Sequence, residues 1–213
     1  MYRFMAIVLL GLVGRAGIVD RAAITVGRQV ITELELEEEA RVTAFFNQVP
    51  ASDTPQQRQA AADRLVQQLL IIREMRLSHY PEPNNIDIEN AFNRIRDTYG
   101  TPREFEDALN RYKLTPDILK NHLAKQISTL HFIEYRFRPE LGVSETDLQN
   151  YYNQKIATWA TDHPGVPVPS FNQARDSFRA ALVAARTDEA LDGWLKETRK
   201  QVRVAYLEQG LHE

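Results

Sequence analysis

A chain of 213 residues with 43% hydrophobic and 26% charged residues has the composition of a globular protein and excludes a disordered one. Its net charge of −3 lacks the basic excess of a nucleic-acid binder. The absence of cysteine excludes a disulfide framework and thiolate chemistry.

Residues 1–16 read as a signal peptide. Arg3 precedes the apolar run Met5 to Val13, and the small residues Gly14, Ala16 and Gly17 follow at cleavage positions. About ten apolar residues fall short of the roughly 20 that span a bilayer, so no stable membrane span is expected. The remainder, 17–213, reads as one domain. AAITV (Ala22 to Val26) and QVI (Gln29 to Ile31) flank Gly27-Arg28, the pattern of a β-hairpin. Helix-start signals then recur: Thr32 with Glu35, Thr54-Pro55 with Gln57, Thr101-Pro102 with Glu104, Thr115-Pro116, Ser144 with Asp147, and Ser170 with Gln173. Behind them, apolar residues repeat at helical spacing, as in Leu65, Leu69 and Ile72, in Leu119, Leu123, Ile127 and Leu130, and in Phe171, Ala174, Phe178 and Leu182. Near the C-terminus Val202, Val204 and Tyr206 alternate with Arg203 and Ala205, the period of a strand. A lone strand cannot satisfy its backbone, so this one is expected to join the N-terminal hairpin. The fold class is therefore mostly α: a multi-helix core with a small antiparallel sheet made by the N-terminal hairpin and the C-terminal strand.

No catalytic chemistry stands out. The five histidines, His79, His122, His131, His163 and His212, make no H-E-x-x-H, and no dinucleotide, phosphate or nucleophile-elbow motif is present. No catalytic residue, metal ligand or cofactor is assigned. The run Glu37-Glu38-Glu39 reads as a solvated helix face. The aromatic residues Phe45, Phe46, Tyr151, Tyr152 and Trp159 lie near helix ends and junctions. Neighbours on a helix point about 100° apart, so one of each adjacent pair can face outward as part of a polypeptide-binding patch. The other reading is that they pack at helix edges.

The order of several segments resembles the SurA-like periplasmic chaperones. VDRAAITVGRQVI (19–31) looks like the opening strand, turn and helix start of that family, and LVQQLLIIREMRL (65–77) looks like its second helix. EFEDALNRYKLTPDILKNHLAKQI (104–127) resembles its loop and long helix, and VSETDLQNYYNQ (143–154) its next segment, with Asp147 where glutamate is usual. Most relatives carry a parvulin-type prolyl isomerase domain after the Tyr-Tyr pair. Here 18 residues separate Tyr152 from Phe171, whereas a folded domain takes about 50. The proline-rich stretch 160–170 therefore resembles a stiff connector where relatives carry the insertion.

Relatives are prolyl isomerases, but the connector leaves no room for that domain, so no isomerase activity and no enzyme are expected. The resemblance implies an ATP-independent periplasmic holdase for unfolded polypeptides, such as outer-membrane β-barrel precursors. The alternative is a non-catalytic envelope assembly module binding one dedicated folded partner. The oligomeric state is not specified by the sequence.

Overall fold

The computed structural model describes residues 20–52, 54–138, 142–208 and 210–211. The signal-peptide expectation for 1–16, and His212, lie outside them. Two short strands, β1 (Ala22–Val26) and β2 (Gln29–Thr32), are followed by seven helices and a last strand among the described residues. The helices are α1 (Glu33–Asn47), α2 (Pro55–Leu77), α3 (Asn85–Arg96), α4 (Pro102–Arg111), α5 (Pro116–Phe137), α6 (Glu145–Asp162) and α7 (Phe171–Gln201), and β3 is Val204–Tyr206. The protein is mostly helical with one small antiparallel sheet, as expected from the sequence.

β1 is the middle strand, antiparallel to β2 on one side and to β3 on the other. Gly27 takes φ +61° at the hairpin turn, a sign that costs glycine nothing and a β-branched residue much. Ile24 faces Ile31 across one edge and Tyr206 across the other. Beyond the ladder, the Leu207 N–H donates to the Ala23 carbonyl at 2.8 Å and the Gly27 N–H to the Arg203 carbonyl at 2.9 Å. Arg58 of α2 grips both oxygens of Glu208 at 2.7 Å. The first and last described elements thus close on each other.

The helix starts follow the cap chemistry. Thr32, Thr101 and Ser144 form reciprocal boxes with Glu35, Glu104 and Asp147. Thr54 caps Gln57, whose side chain pairs with Ser52 rather than returning to the cap. Thr115 accepts from the Ile118 N–H at 3.2 Å, and Asn84 caps α3.

Two hydrophobic cores share α5. The first joins the sheet to α2, the start of α1 and the end of α7, around Ile24, Leu36, Val66, Leu70 and Phe132. The second joins the end of α1 to α3, α4 and the start of α5, around Phe45, Phe92, Phe105, Leu119 and Leu123. Leu123 and Phe132 are nine residues apart, two and a half turns, and so point to opposite sides of α5.

Beyond the two cores, α6 packs against the first part of α7. This pair buries Leu148 and Ala174 and is edged by charge. Arg175 holds Glu145 at 2.8 Å, and Arg186 holds Asp147 at 3.0 Å. The pair forms an arm, whereas the second part of α7 belongs to the first core through Leu191, Trp194 and Leu195.

Candidate functional site

Where α5 passes from one core to the other, a cleft opens along it. α1 and α2 flank its head and α7 its far end. Three adjoining hollows of about 380, 270 and 560 Å³ make it up. The first two share Leu65, Gln68 and His122, and the last two share Leu130 and Ile133. The lining runs from Ile118 of α5 to Arg138, which caps the helix, roughly 30 Å at 1.5 Å per residue. Its apolar side chains include Leu65, Ile71, Ile133 and Leu195, and amides from Gln67, Gln68 and Gln126 stand among them. Leu130 on the wall is 54% exposed, a large apolar side chain kept in water. The Thr129 hydroxyl oxygen is buried there without a partner. A buried polar atom left unpaired costs about 1–3 kcal/mol, so a group bonding it would gain by entering.

At the head of the cleft Glu39 is 8% exposed. That corrects the expectation of a solvated Glu37–Glu39 face, since Glu39 turns inward. Its carboxylate accepts from Arg64 Nε at 2.8 Å and lies 3.4 Å from His122 Nδ1. The Thr43 hydroxyl donates to it at 3.4 Å and accepts from Arg64 Nη2 at 3.0 Å. Burial pushes the Glu39 carboxyl up, but the hydrogen bonds and charges of His122 and Arg64 outweigh this and hold it below the usual range. One carboxylate thereby ties α1 to α2 and α5. It is engaged on every side, which suits a brace better than a general base. Among the described residues no three His, Asp or Glu side chains could hold a metal ion, and no helix is long and apolar enough to cross a membrane.

The five aromatic residues singled out by sequence do not form one patch. Phe45 is 3% exposed and belongs to the second core, with ring centroids 5.6 Å from Phe46 and 5.7 Å from Tyr112. Buried there, it is not presented to a ligand. Phe46 faces outward, 41% exposed, with its ring 5.9 Å from His122 near the head of the cleft. Tyr151, Tyr152 and Trp159 lie on α6, in the arm. Tyr151 meets Phe178 edge-on at 5.7 Å, and Tyr152 meets Phe171 edge-on at 5.4 Å. The Tyr152 hydroxyl donates to the Pro169 carbonyl at 2.9 Å, and Trp159 Nε1 donates to the Val166 carbonyl at 3.1 Å. Each adjacent pair therefore divides differently: Phe45 and Phe46 point in and out, while Tyr151 and Tyr152 both stay half-buried against α7.

The cleft residues Thr129, Leu130, Ile133 and Gln126 escaped the sequence reading. Leu130 ended an apolar stripe that looked like core throughout. The signal available was Phe132, on the side of α5 opposite Leu123, which requires the helix to change partners midway. In comparisons with known proteins, no family model matches the chain, and no curated protein matches it.

Proposed function

We propose that the protein is a non-catalytic polypeptide-binding cradle, acting as an ATP-independent holdase in the periplasm for unfolded chains such as outer-membrane β-barrel precursors. The α5 cleft carries this reading. Its length of roughly 30 Å matches an extended segment of about nine residues at 3.3 Å each. Apolar walls receive alternate side chains of such a segment, and the amides of Gln67, Gln68 and Gln126 meet its backbone groups. Glutamine amides both donate and accept, so they serve any sequence in either direction. The exposed Leu130 and Phe46 add weak contacts that hold a client without trapping it. The resemblance to SurA-like chaperones supplies the periplasm and the class of client. The connector, too short for an isomerase domain, supports the non-enzymatic part.

The test dilutes a denatured porin, and separately an unrelated unfolded protein, into buffer containing residues 17–213 without nucleotide. Light scattering should fall at near-stoichiometric protein for both clients. Leu130→Lys, at an exposed position that leaves the cores intact, should need several-fold more protein for the same effect. Undiminished scattering of both clients at several-fold excess would defeat the general holdase and leave the module for one dedicated partner.

A further inference from the structure

The proline-rich stretch between α6 and α7 does more than join two helices. After Asp162 the chain turns back at His163 to Val166. Pro164 and Gly165 take the central positions, Gly165 has φ +79°, and the Val166 N–H donates to the His163 carbonyl at 3.2 Å. Those are the marks of a type II turn. Val166-Pro167-Val168-Pro169 then runs back along α6. Pro167 and Pro169 fix their own φ and hold the preceding valines extended. Such a segment has no internal hydrogen bonds, so its carbonyls need outside donors.

Two side chains of α6 supply them, and the spacings agree. Trp159 and Tyr152 are seven residues apart, two helical turns, so they share a face about 10.5 Å apart. Val166 and Pro169 are three residues apart, one turn of polyproline II, so their carbonyls also share a face, about 9.3 Å apart. Trp159 Nε1 donates to the first and the Tyr152 hydroxyl to the second, at 3.1 and 2.9 Å. The Trp159 ring also stacks on His163 at 4.0 Å. Aromatic side chains whose polar tips read main-chain carbonyls of an extended proline segment are the general chemistry of proline-rich peptide recognition. The occupant is lightly held: Val166 and Val168 remain 53% and 50% exposed, so little apolar area opposes its release.

We infer that the α6 face carrying Tyr152 and Trp159 is a second polypeptide-binding surface, specific for extended Val-Pro-type segments of a client chain, and that residues 166–169 are its tethered occupant, displaced when a client enters. The inference deepens the polypeptide-binding reading and rests on it. A tethered competitor acts at an effective concentration in the millimolar range, so free peptides bind the native chain weakly and bind tightly once the tether is vacated.

The experiment uses the full chain and a fluorescein-labelled peptide of sequence GVPVPSF, read by anisotropy. A vacated variant carries Val166→Gly, Pro167→Ser, Val168→Gly and Pro169→Ser, at positions outside both cores. It should bind the peptide at least tenfold more tightly than the native chain, and adding Trp159→Ala and Tyr152→Phe should abolish the gain. Circular dichroism establishes that each variant keeps its helices. If the vacated arm loosens instead, the native chain with Trp159→Ala alone supplies the second measurement. With one donor to the occupant gone, exchange of the Val166 amide, bonded to the His163 carbonyl in the turn, should accelerate at least threefold. A folded vacated variant that binds the peptide no better than the native chain overturns the surface. If the native chain dimerises in sedimentation and Trp159→Ala is monomeric, the occupant is a second copy's connector and the client assignment falls. The two readings fail separately. Scattering suppressed without peptide binding leaves the holdase standing and removes this surface. Peptide binding without suppression keeps the surface and removes the holdase.

Discussion

α7 is one helix with two different jobs. Its second part is walled into the first core by Leu191, Trp194 and Leu195, beside a sheet whose central strand buries Ala23, Ile24 and Val26. Its first part packs mainly on α6, with Leu148 and Ala174 as the buried seam and ion pairs at the edge, and its Ala180, Val183 and Ala184 border the far end of the cleft. The body is held by burial gathered from distant parts of the chain. The arm is held by one seam and by exposed charge, and exposed ion pairs contribute only about 0–1 kcal/mol each. A region so weakly tied opens at lower free energy than the rest, which suits a surface that exchanges occupants.

The largest break in this comparison comes from removing Val202 to Glu213. The body then loses β3, the buried Val202 and Leu211, and the Arg58–Glu208 grip. Each buried aliphatic side chain contributes about 1.5–3 kcal/mol. The truncated chain should melt at least about 10 °C lower or lose its cooperative transition in a thermal scan. An unchanged melting temperature would mean that the body does not depend on chain closure.

Paired truncations in the two seams come next. Ile24→Ala in the central strand should cost about 2–5 kcal/mol and lower the melting temperature of the whole body. Leu148→Ala removes an equally buried side chain, but the loss should stay in the arm. Amide exchange should accelerate through α6 while the main melting transition moves by less than about 3 °C. If both variants shift the global transition equally, arm and body are one cooperative unit.

Much of this arrangement was legible in the sequence, for local reasons. The hairpin needed only Gly27 between β-prone runs, the helix starts needed only a cap residue and its partner three positions on, and the last strand announced itself by alternation. The cleft was not legible, because Leu130 continues the Leu119–Leu123 stripe on paper and leaves it only when α5 changes partners. Glu39 was misread for the same reason. Its burial depends on Arg64 and His122, which lie on other helices and share no local pattern with it. The prolines marked 166–169 as extended, but the reversal onto α6 depends on where Tyr152 and Trp159 end up.

Glu39 gives a smaller effect, with a pH signature. Its folded-state value lies below its unfolded value. The support it gives is therefore fully present above the ordinary glutamate range near pH 4.3 and is lost as the pH falls through the lower folded value. Glu39→Gln should cost about 1–3 kcal/mol at neutral pH, because Arg64 and His122 lose a charged acceptor. It should also flatten the acid limb of a denaturation series. An acid limb as steep as that of the native chain would show that the brace at the cleft head does not carry it.

The smallest effect belongs to the arm. Hydrogen bonds from the Ser144 hydroxyl, Arg186 and the Ser144 backbone hold Asp147 down to about 2, against an ordinary value of about 3.9. Because the folded value is the lower one, its support for the start of α6 is complete above about pH 4 and disappears as the pH falls through about 2. The Ser144 N–H donates to the carboxylate at 3.0 Å, so its amide resonance should report the titration directly. Followed by NMR from pH 5 downward, it should move with a midpoint near 2. It should stay still in Asp147→Asn, whose side chain keeps an acceptor oxygen but cannot titrate. The body's resonances should not follow this midpoint in either protein, since the partners of the Asp147 carboxylate are Ser144 and Arg186, both in the arm. A native midpoint near 3.9 would mean that the cap and the Arg186 pair do not persist in solution. The start of α6 would then be tied to α7 by the Leu148 seam, the Arg175–Glu145 pair and the ring contacts of Tyr151 and Tyr152.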